Sequence, residues 1–191
     1  MIKRAIDIIL SSLSLIICSP LLLCIFIGLR LTSKDSAIFS QERIGRGGKP
    51  FMILKFRTMI VDSEKDSVPQ LTDIDDERLT TFGRFLRAHH LDELPQLWNV
   101  LRGDMSLIGY RPERKFFIDQ IMEHDPRYSL LYRIQPGVTS YATLYNGYTD
   151  TMEKMLKRLE LDLYYLENHS FWMDAKILWL TFCNIIRGKK F

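Results

Sequence analysis

The sequence predicts a mainly helical protein with one small β-hairpin, mounted on an apolar N-terminal helix long enough to enter a membrane. Three observations carry this. Ile8 to Leu29 is an uncharged run of 22 residues, and a helix rising ~1.5 Å per residue over that length reaches across a ~30 Å hydrocarbon layer. Helices are read at 79–90, 94–101, 112–124, 126–133, 151–168 and 171–187, the first and last of these with one-sided apolar stripes. Residues 37–42 and 51–57 read as strands, around the turn Gly45-Arg46-Gly47-Gly48-Lys49-Pro50. No repeat, low-complexity tract or linker divides the 191 residues, so the apolar segment (1–34) and the remainder (35–191) read as one functional unit.

The apolar run holds Ser19-Pro20 near its middle. Proline removes one helical hydrogen bond and frees the carbonyl of Ile16, which in lipid must find another partner. The hydroxyls of Ser14 and Ser19 are within reach. Basic residues flank both ends, Lys3 and Arg4 before and Arg30 and Lys34 after, so the positive-inside bias selects no direction. A kinked spanning helix and a hairpin that returns to its own side account for these residues equally well. A buried core helix and a cleaved signal peptide account for them less well. Arg4 and Asp7, three apart, are placed to pair with each other.

Beyond the hairpin, residues 62–76 are polar and read as a surface loop. The helix 79–90 carries Phe82, Phe85 and Leu86 on its apolar side. Asp92 reads as the cap of the following helix, with Pro95 at an early position, which predicts a low pKa and an ionised carboxylate. Gln135–Thr139 reads as a turn and Tyr141–Tyr148 as a loop or short strand. In the last helix Phe171, Trp172, Ala175, Leu178, Trp179, Phe182 and Ile186 form the apolar stripe, opposite Asp174, Thr181 and Asn184. Two tryptophans followed by Arg-Gly-Lys-Lys suit a helix in a membrane interface, and core packing suits the stripe as well.

Net charge is +3, which does not indicate a nucleic-acid binder. Basic clusters at Lys3/Arg4, Arg43/Arg46/Lys49 and Arg187/Lys189/Lys190 suit phosphates or anionic membrane lipids. The glycines of the hairpin turn give only a weak phosphate signal, a plain turn being the simpler account. Cys18, Cys24 and Cys183 lie in apolar stretches with no zinc or disulfide spacing.

The chemistry concentrates at Asp92-Glu93. Adjacent carboxylates repel, so the pair needs a cation, a shared proton or open water. Arg87 and Arg102 flank it, Arg111 follows in a Gly-Tyr-Arg-Pro turn, and Lys55 and Arg57 project from one strand face upstream. Two acids among cations suit a phosphate ester bound through a metal ion. An acidic helix start is the plain alternative. His89-His90 lack metal-ligand spacing and read as surface or supporting residues.

These residues fall in a longer pattern: Lys3-Arg4-x-x-Asp7, Ser19-Pro20, Lys55-Phe56-Arg57-Thr58-Met59, Leu91-Asp92-Glu93-Leu94-Pro95-Gln96-Leu97-x-Asn99-Val100-Leu101-x-Gly103-Asp104-Met105-Ser106, Arg111-Pro112, Pro136-Gly137-x-Thr139 and Asp162-x-Tyr164-Tyr165. Over nearly its whole length the chain resembles the small monotopic phosphoglycosyl transferases, the bacterial sugar transferase family. The resemblance implies a re-entrant membrane helix broken at Ser19-Pro20, interfacial amphipathic helices and a compact catalytic domain on the cytosolic face of the bacterial cytoplasmic membrane. It implies transfer of a sugar 1-phosphate from a UDP-sugar to polyprenol (undecaprenyl) phosphate. UMP is released through a covalent phosphosugar-aspartyl intermediate, as the first membrane step of glycoconjugate assembly. By position, Asp92 is the nucleophile and Glu93 the metal or acid/base partner, both toward Mg²⁺. Lys55, Arg57, Arg87 and Arg111 become phosphate contacts, with Asp162 at the site's edge. A homodimer is compatible with the resemblance.

The chain departs from the family pattern where Tyr110 replaces the first proline of a Pro-Arg-Pro turn, where His89-His90 replace smaller polar residues, and in Thr139-Ser140-Tyr141-Ala142-Thr143. The last two bear on the choice of sugar, which the sequence leaves open. A non-catalytic membrane scaffold and a metal-dependent phosphohydrolase are the competing readings. The first leaves the carboxylate–cation cluster without a role. The second shares the cluster but transfers phosphate to water.

Overall fold

The computed structural model describes residues 2–32, 35–60, 76–147 and 149–187. The expected loop at 62–76, apart from its last residue, and the terminal Lys189/Lys190 lie outside the described residues. In chain order, helix α1 (Ile2–Thr32) is followed by strands β1 (Ile38–Ile44) and β2 (Pro50–Phe56). Helix α2 (Thr81–Ala88), a single 3₁₀ turn (Leu91–Glu93), α3 (Gln96–Arg102) and β3 (Ser106–Ile108) come next. Then follow α4 (Lys115–His124), a 3₁₀ stretch (Pro126–Arg133), β4 (Gly137–Thr139), α5 (Tyr141–Asn146), α6 (Met152–Asn168) and α7 (Phe171–Ile186). The chain is mainly helical with an antiparallel β1–β2 hairpin, as the sequence predicts.

Helix α1 is long and apolar enough to cross a membrane. Its helical backbone continues through Pro20. The Ser19 hydroxyl donates to the Ile16 carbonyl (2.8 Å), so the oxygen that proline leaves without its amide partner is satisfied within the helix. Ile9, Leu13, Ile16, Ile17 and Leu23 are more than half exposed, an apolar surface that water would not favour.

Both ends of α1 are fastened to the rest of the chain. Arg4 and Asp7 do not pair with each other. The Arg4 guanidinium donates to the carbonyls of Val100 (2.5 Å) and Leu101 (2.8 Å), a cation at the C-terminal end of α3 where unpaired carbonyls collect. Asp7, buried, accepts from the Ser106 hydroxyl (2.8 Å) and the Leu107 N–H (3.0 Å). Lys3 pairs with Asp174 of α7 (2.5 Å), and Tyr165 of α6 donates to the same carboxylate (2.6 Å). At the far end Ile25 and Leu29 pack with Ala37, Phe56 and Leu86.

The hairpin pairs Ile38 with Phe56 through Ile44 with Pro50, within two residues of the predicted strands. Its outer edge is closed by a side chain. Asn99, fully buried on α3, accepts from Leu54 N–H (3.0 Å) and donates to the Met52 carbonyl (2.8 Å), so its carboxamide replaces a neighbouring strand. Gly83 permits the next contact: a Cβ there would stand 2.0 Å from the Thr58 carbonyl oxygen, so only glycine lets α2 lie against the chain leaving β2.

Two further expectations change. β3 and β4 form a parallel pair, Ser106 beside Gly137 and Ile108 beside Thr139, where only a turn was expected at 135–139. Three-residue strands with glycines present no alternation to read. Residues 141–146 are helical, started by Ser140, whose hydroxyl accepts from Thr143 N–H (2.9 Å). The main core joins Tyr110, Phe117, Ile118, Ile121, Tyr128 and Leu131 to Met155, Leu159 and Leu163 of α6.

Replacing Asp7 by Ala leaves the Ser106 hydroxyl and Leu107 N–H buried without their acceptor. The expected loss is ~2–4 kcal/mol of unfolding free energy, against about 1 kcal/mol for Ser106→Ala. Denaturant unfolding in detergent micelles measures both, and equal small losses would remove Asp7 as the anchor of α1.

Candidate active site

After α2 and its cap His89, His90 is left-handed (φ 54°), a conformation that costs a non-glycine side chain ~1–2 kcal/mol. It leads into Leu91–Glu93, an isolated 3₁₀ turn ahead of α3. Asp92 therefore does not cap α3. Pro95 occupies that position without a side-chain bond, and the dyad stands one turn earlier, aimed into a cavity of about 660 Å³.

Lys55, Arg57, Arg87, His90, Asp92, Glu93 and Arg111 all line this cavity. Lys55, on β2, reaches Glu93 Oε1 at 2.6 Å, and an Arg111 Nη stands 3.7 Å from the same oxygen. Arg87 is steadied by the Thr58 hydroxyl (3.1 Å). Arg57 leaves the strand, donates to the Ser36 carbonyl (2.8 Å) and lies over Phe39, so it guards the rim rather than the dyad. The flanking Arg102 does not line the cavity; it stands 3.6 Å from Asp104. His89 turns outward onto Phe85, bonded to its carbonyl (2.9 Å). Among the described residues no cluster of three or more His, Cys, Asp or Glu has metal-binding proximity. The hairpin turn 45–49 contributes nothing to the cavity.

The two carboxylates are unequal, in a sense opposite to the sequence expectation for Asp92. Burial pushes the Asp92 carboxyl above its ordinary range and the Glu93 charge adds to this, while Lys55, Arg87 and His90 oppose them. Burial acts on Glu93 in the same direction, but Lys55 and Arg111 overcome it and hold that carboxyl at about 2. Glu93 is thus the ionised partner near neutral pH, and Asp92 the more basic one.

Asp162, expected at the site's edge, does not line the cavity. It is buried on α6, and among the described residues its Oδ1 has no hydrogen-bond partner. Arg158, one turn earlier on α6, donates to the buried Glu113 (2.6 Å), which Arg43 also approaches (3.2 Å). Glu113, Arg43, Arg114 and Arg158 line the cavity and were not singled out as site residues from the sequence. The readable signal was the Arg158–Asp162 spacing of four on the face that carries Met155 and Leu159. The cavity continues past Thr139, Ala142 and Thr143 to Thr181 and Ile185 of α7. An apolar groove of about 340 Å³ lies beside it, lined by Leu22, Leu23, Phe26, Ile38, Phe56 and Pro95, with Phe56 common to both.

A family model for bacterial sugar transferases matches residues 1–188. Among curated proteins the chain is 46% identical, over 94% of its length, to a UDP-glucose:undecaprenyl-phosphate glucose-1-phosphate transferase of Klebsiella pneumoniae. It is 44% identical over 95% of its length to the protein of that name in Escherichia coli strain K12. It is 37% identical over 98% to an Aeromonas hydrophila UDP-N-acetylgalactosamine-undecaprenyl-phosphate N-acetylgalactosaminephosphotransferase. The chain spans 39%, 39% and 44% of those three proteins respectively. The chain belongs to the bacterial sugar transferase family.

Burial raises the Asp162 carboxyl to about 7, with Arg158 and the Arg111 N–H acting against it and Glu113 with it. A raised carboxyl makes the charged form unfavourable in the folded state. The penalty is absent below the unfolded value near 4 and complete above about 7. Asp162→Asn should therefore match wild type in stability near pH 4 and exceed it at pH 8. Unfolding curves at the two pH values read this, and a variant less stable at pH 8 would contradict it.

Proposed function

We propose that this bacterial sugar transferase moves a sugar 1-phosphate from a UDP-sugar to polyprenol phosphate and releases UMP, by two displacements through Asp92. The supporting observation is the unequal dyad: a basic, buried Asp92 beside a Glu93 already committed to Lys55 and Arg111, in a cavity walled by cations. In the first step an Asp92 oxygen attacks the sugar-linked phosphorus. The bond from that phosphorus to the UMP oxygen breaks, and the phosphosugar is left as an acyl phosphate on Asp92. In the second, a phosphate oxygen of the lipid attacks the same phosphorus, the Asp92 carboxylate leaves, and a polyprenyl diphosphate sugar forms. A carboxylate with a raised pKa is the better nucleophile once ionised, and the surrounding cations favour the ionised form. Lys55, Arg87 and Arg111 are placed to take charge on the phosphoryl oxygens.

Asp92 and Glu93 offer oxygen donors of the kind Mg²⁺ takes. Two carboxylates suffice for an ion that draws its other ligands from phosphates and water, so the residues fit the metal that the family implies. Bound there, Mg²⁺ would neutralise diphosphate charge and stabilise the departing UMP. The protein's own part is to hold Glu93 ionised and oriented through Lys55.

A lipid acceptor needs an apolar approach to this charged cavity. The groove of Leu22, Leu23, Phe26 and Pro95 adjoins it, and α7 lines it while turning Trp172, Trp179 and Phe182 outward. These exposed aromatics suit a membrane interface, with Arg187 available to anionic lipids. The attachment of both ends of α1 to one domain supports a re-entrant helix and a monotopic position on the cytosolic face of the inner membrane. The donor sugar stays open, since the named relatives act from UDP-glucose and from UDP-N-acetylgalactosamine.

Purified protein given Mg²⁺ and a panel of UDP-sugars should release about one UMP per enzyme before any lipid is added, and turn over once polyprenol phosphate is supplied. Asp92→Asn should lower both by a factor on the order of 10³ or more. Full activity in that variant refutes the nucleophile, and continuous turnover without lipid identifies a phosphohydrolase instead. In a cysteine-free background, single cysteines at Ile2 and Ser36 should label from the same side of a sealed vesicle. Labelling from opposite sides refutes the hairpin.

A further inference from the structure

We infer that Thr143 and Thr181 form the sugar-binding wall of the cavity, where their hydroxyls bond to those of the donor sugar and set which sugar is accepted. The inference rests on the reading of the protein as a UDP-sugar transferase and supplies the specificity which that reading leaves open.

The cavity has two chemically different walls. Its charged residues come from the hairpin and the chain leaving it, from α2 and the dyad, from residues 111–114 and from α6. Among the described residues, the wall built by β4, α5 and α7 carries no charge. It presents Thr139, Thr143 and Thr181 beside Ala142 and Ile185. This neutral wall meets the strand that serves the dyad. Val138 of β4 packs against the cluster of Ile53, Val100 and Met105. Ile53 and Lys55 share one face of β2 and both line the cavity, and Lys55 reaches Glu93 at 2.6 Å.

A hydroxyl has one hydrogen to donate and two lone pairs to accept with. The Ser140 hydroxyl accepts from Thr143 N–H (2.9 Å) and lies 2.8 Å from Thr143 Oγ1. Ser140 is 1% exposed and does not line the cavity, so its hydrogen is satisfied by donation to Thr143 Oγ1. The Thr143 hydrogen is then left over at the cavity wall. Thr139 Oγ1 and Thr181 Oγ1 stand 2.9 Å apart and share one hydrogen, so one O–H again remains. Thr139 is the more buried of the two, which leaves the Thr181 hydrogen for the cavity. Two spare donors held by fixed neighbours in a neutral wall match the hydroxyl oxygens of a sugar.

A UDP-sugar carries a neutral group at each end of its diphosphate, and the two ends have different fates. UMP departs after the first displacement. The sugar stays, joined through phosphate to Asp92, until the lipid takes it. The wall containing Thr181 belongs to α7, which turns Trp179 and Phe182 outward. The group to be handed to a lipid therefore lies on the side where lipid arrives.

The test reads binding without turnover, in Asp92→Asn protein supplied with Mg²⁺ in detergent micelles. Titration calorimetry measures affinity for UDP and for a panel of UDP-sugars that includes UDP-glucose and UDP-N-acetylgalactosamine. T181V and T143V should each weaken the tightest UDP-sugar about tenfold, and other sugars by different factors, while UDP binds as before. T181S and T143S keep the hydroxyl and should bind like the parent. Equal weakening of UDP assigns the threonines to the nucleotide and overturns the inference. The same loss for every sugar, or no loss in either valine variant, also overturns it. Should T143V fail to fold because the Ser140 hydroxyl has lost its acceptor, T181V decides alone. Wild type that releases no UMP, with the sugar-dependent binding intact, counts against the transferase reading and leaves the sugar wall standing.

Discussion

The site depends on a single buried carboxamide. Asn99 takes the place of a third strand along the free edge of β2 and thereby fixes α3, with the dyad just ahead of it, against the strand that carries Lys55. The 2.6 Å contact between Lys55 and Glu93 exists because two elements far apart in sequence are locked at this edge. A shorter or apolar residue at 99 would leave a strand N–H and carbonyl buried without partners, at the cost typical of orphaned backbone groups. The other end of α3 is held from outside, by Arg4 on its terminal carbonyls and by Asp7 on the strand that follows. The apolar helix α1 and α3 are thus one mechanical piece, joined by polar contacts.

With that frame set, the division of labour between two chemically similar acids follows from position. Burial acts on both. Glu93 points at Lys55 and Arg111 and is driven to the ionised form, while Asp92 receives weaker compensation and the repulsion of its neighbour. Adjacent carboxylates in one cavity would otherwise compete for a proton. Here the competition is resolved in advance, leaving one acid as a fixed anion and the other as a base that the surrounding cations help to ionise. The cation wall extends through Arg111 to Arg43, Arg114 and Arg158 around Glu113, so a charged ligand would meet positive potential along the cavity rather than at a single point.

The last helix packs on the protein through both apolar and polar residues. Ile177 is buried in a core cluster, while Asp174 meets Lys3 and Tyr165, and Thr181 meets Thr139 at 2.9 Å. Its aromatic residues Trp172, Trp179 and Phe182 are exposed. Together with the outer surface of α1, this face would be unfavourable in water and favourable at a lipid boundary.

Residue type and local spacing determined a good deal: the apolar N-terminal helix, the hairpin and most helices to within a few residues, all of which depend on near-neighbour periodicity. The grouping of Lys55, Arg87 and Arg111 with Asp92 and Glu93 came instead from the family resemblance, since these residues are spread along the chain. The short parallel pair β3–β4, the partners of Arg4 and Asp7 and the strand-capping role of Asn99 were not legible, because each is a contact between segments tens of residues apart. The protonation order of the dyad was misread from sequence for the same reason. A capping rule is local, whereas the burial of Asp92 and the reach of Lys55 to Glu93 belong to the packed molecule. Asp162 moved from the edge of the site into the core because only tertiary structure shows which residues of α6 are buried. Sequence by itself determined which charges are available. Folding decided which were desolvated together, and desolvation is what makes the two carboxylates chemically different.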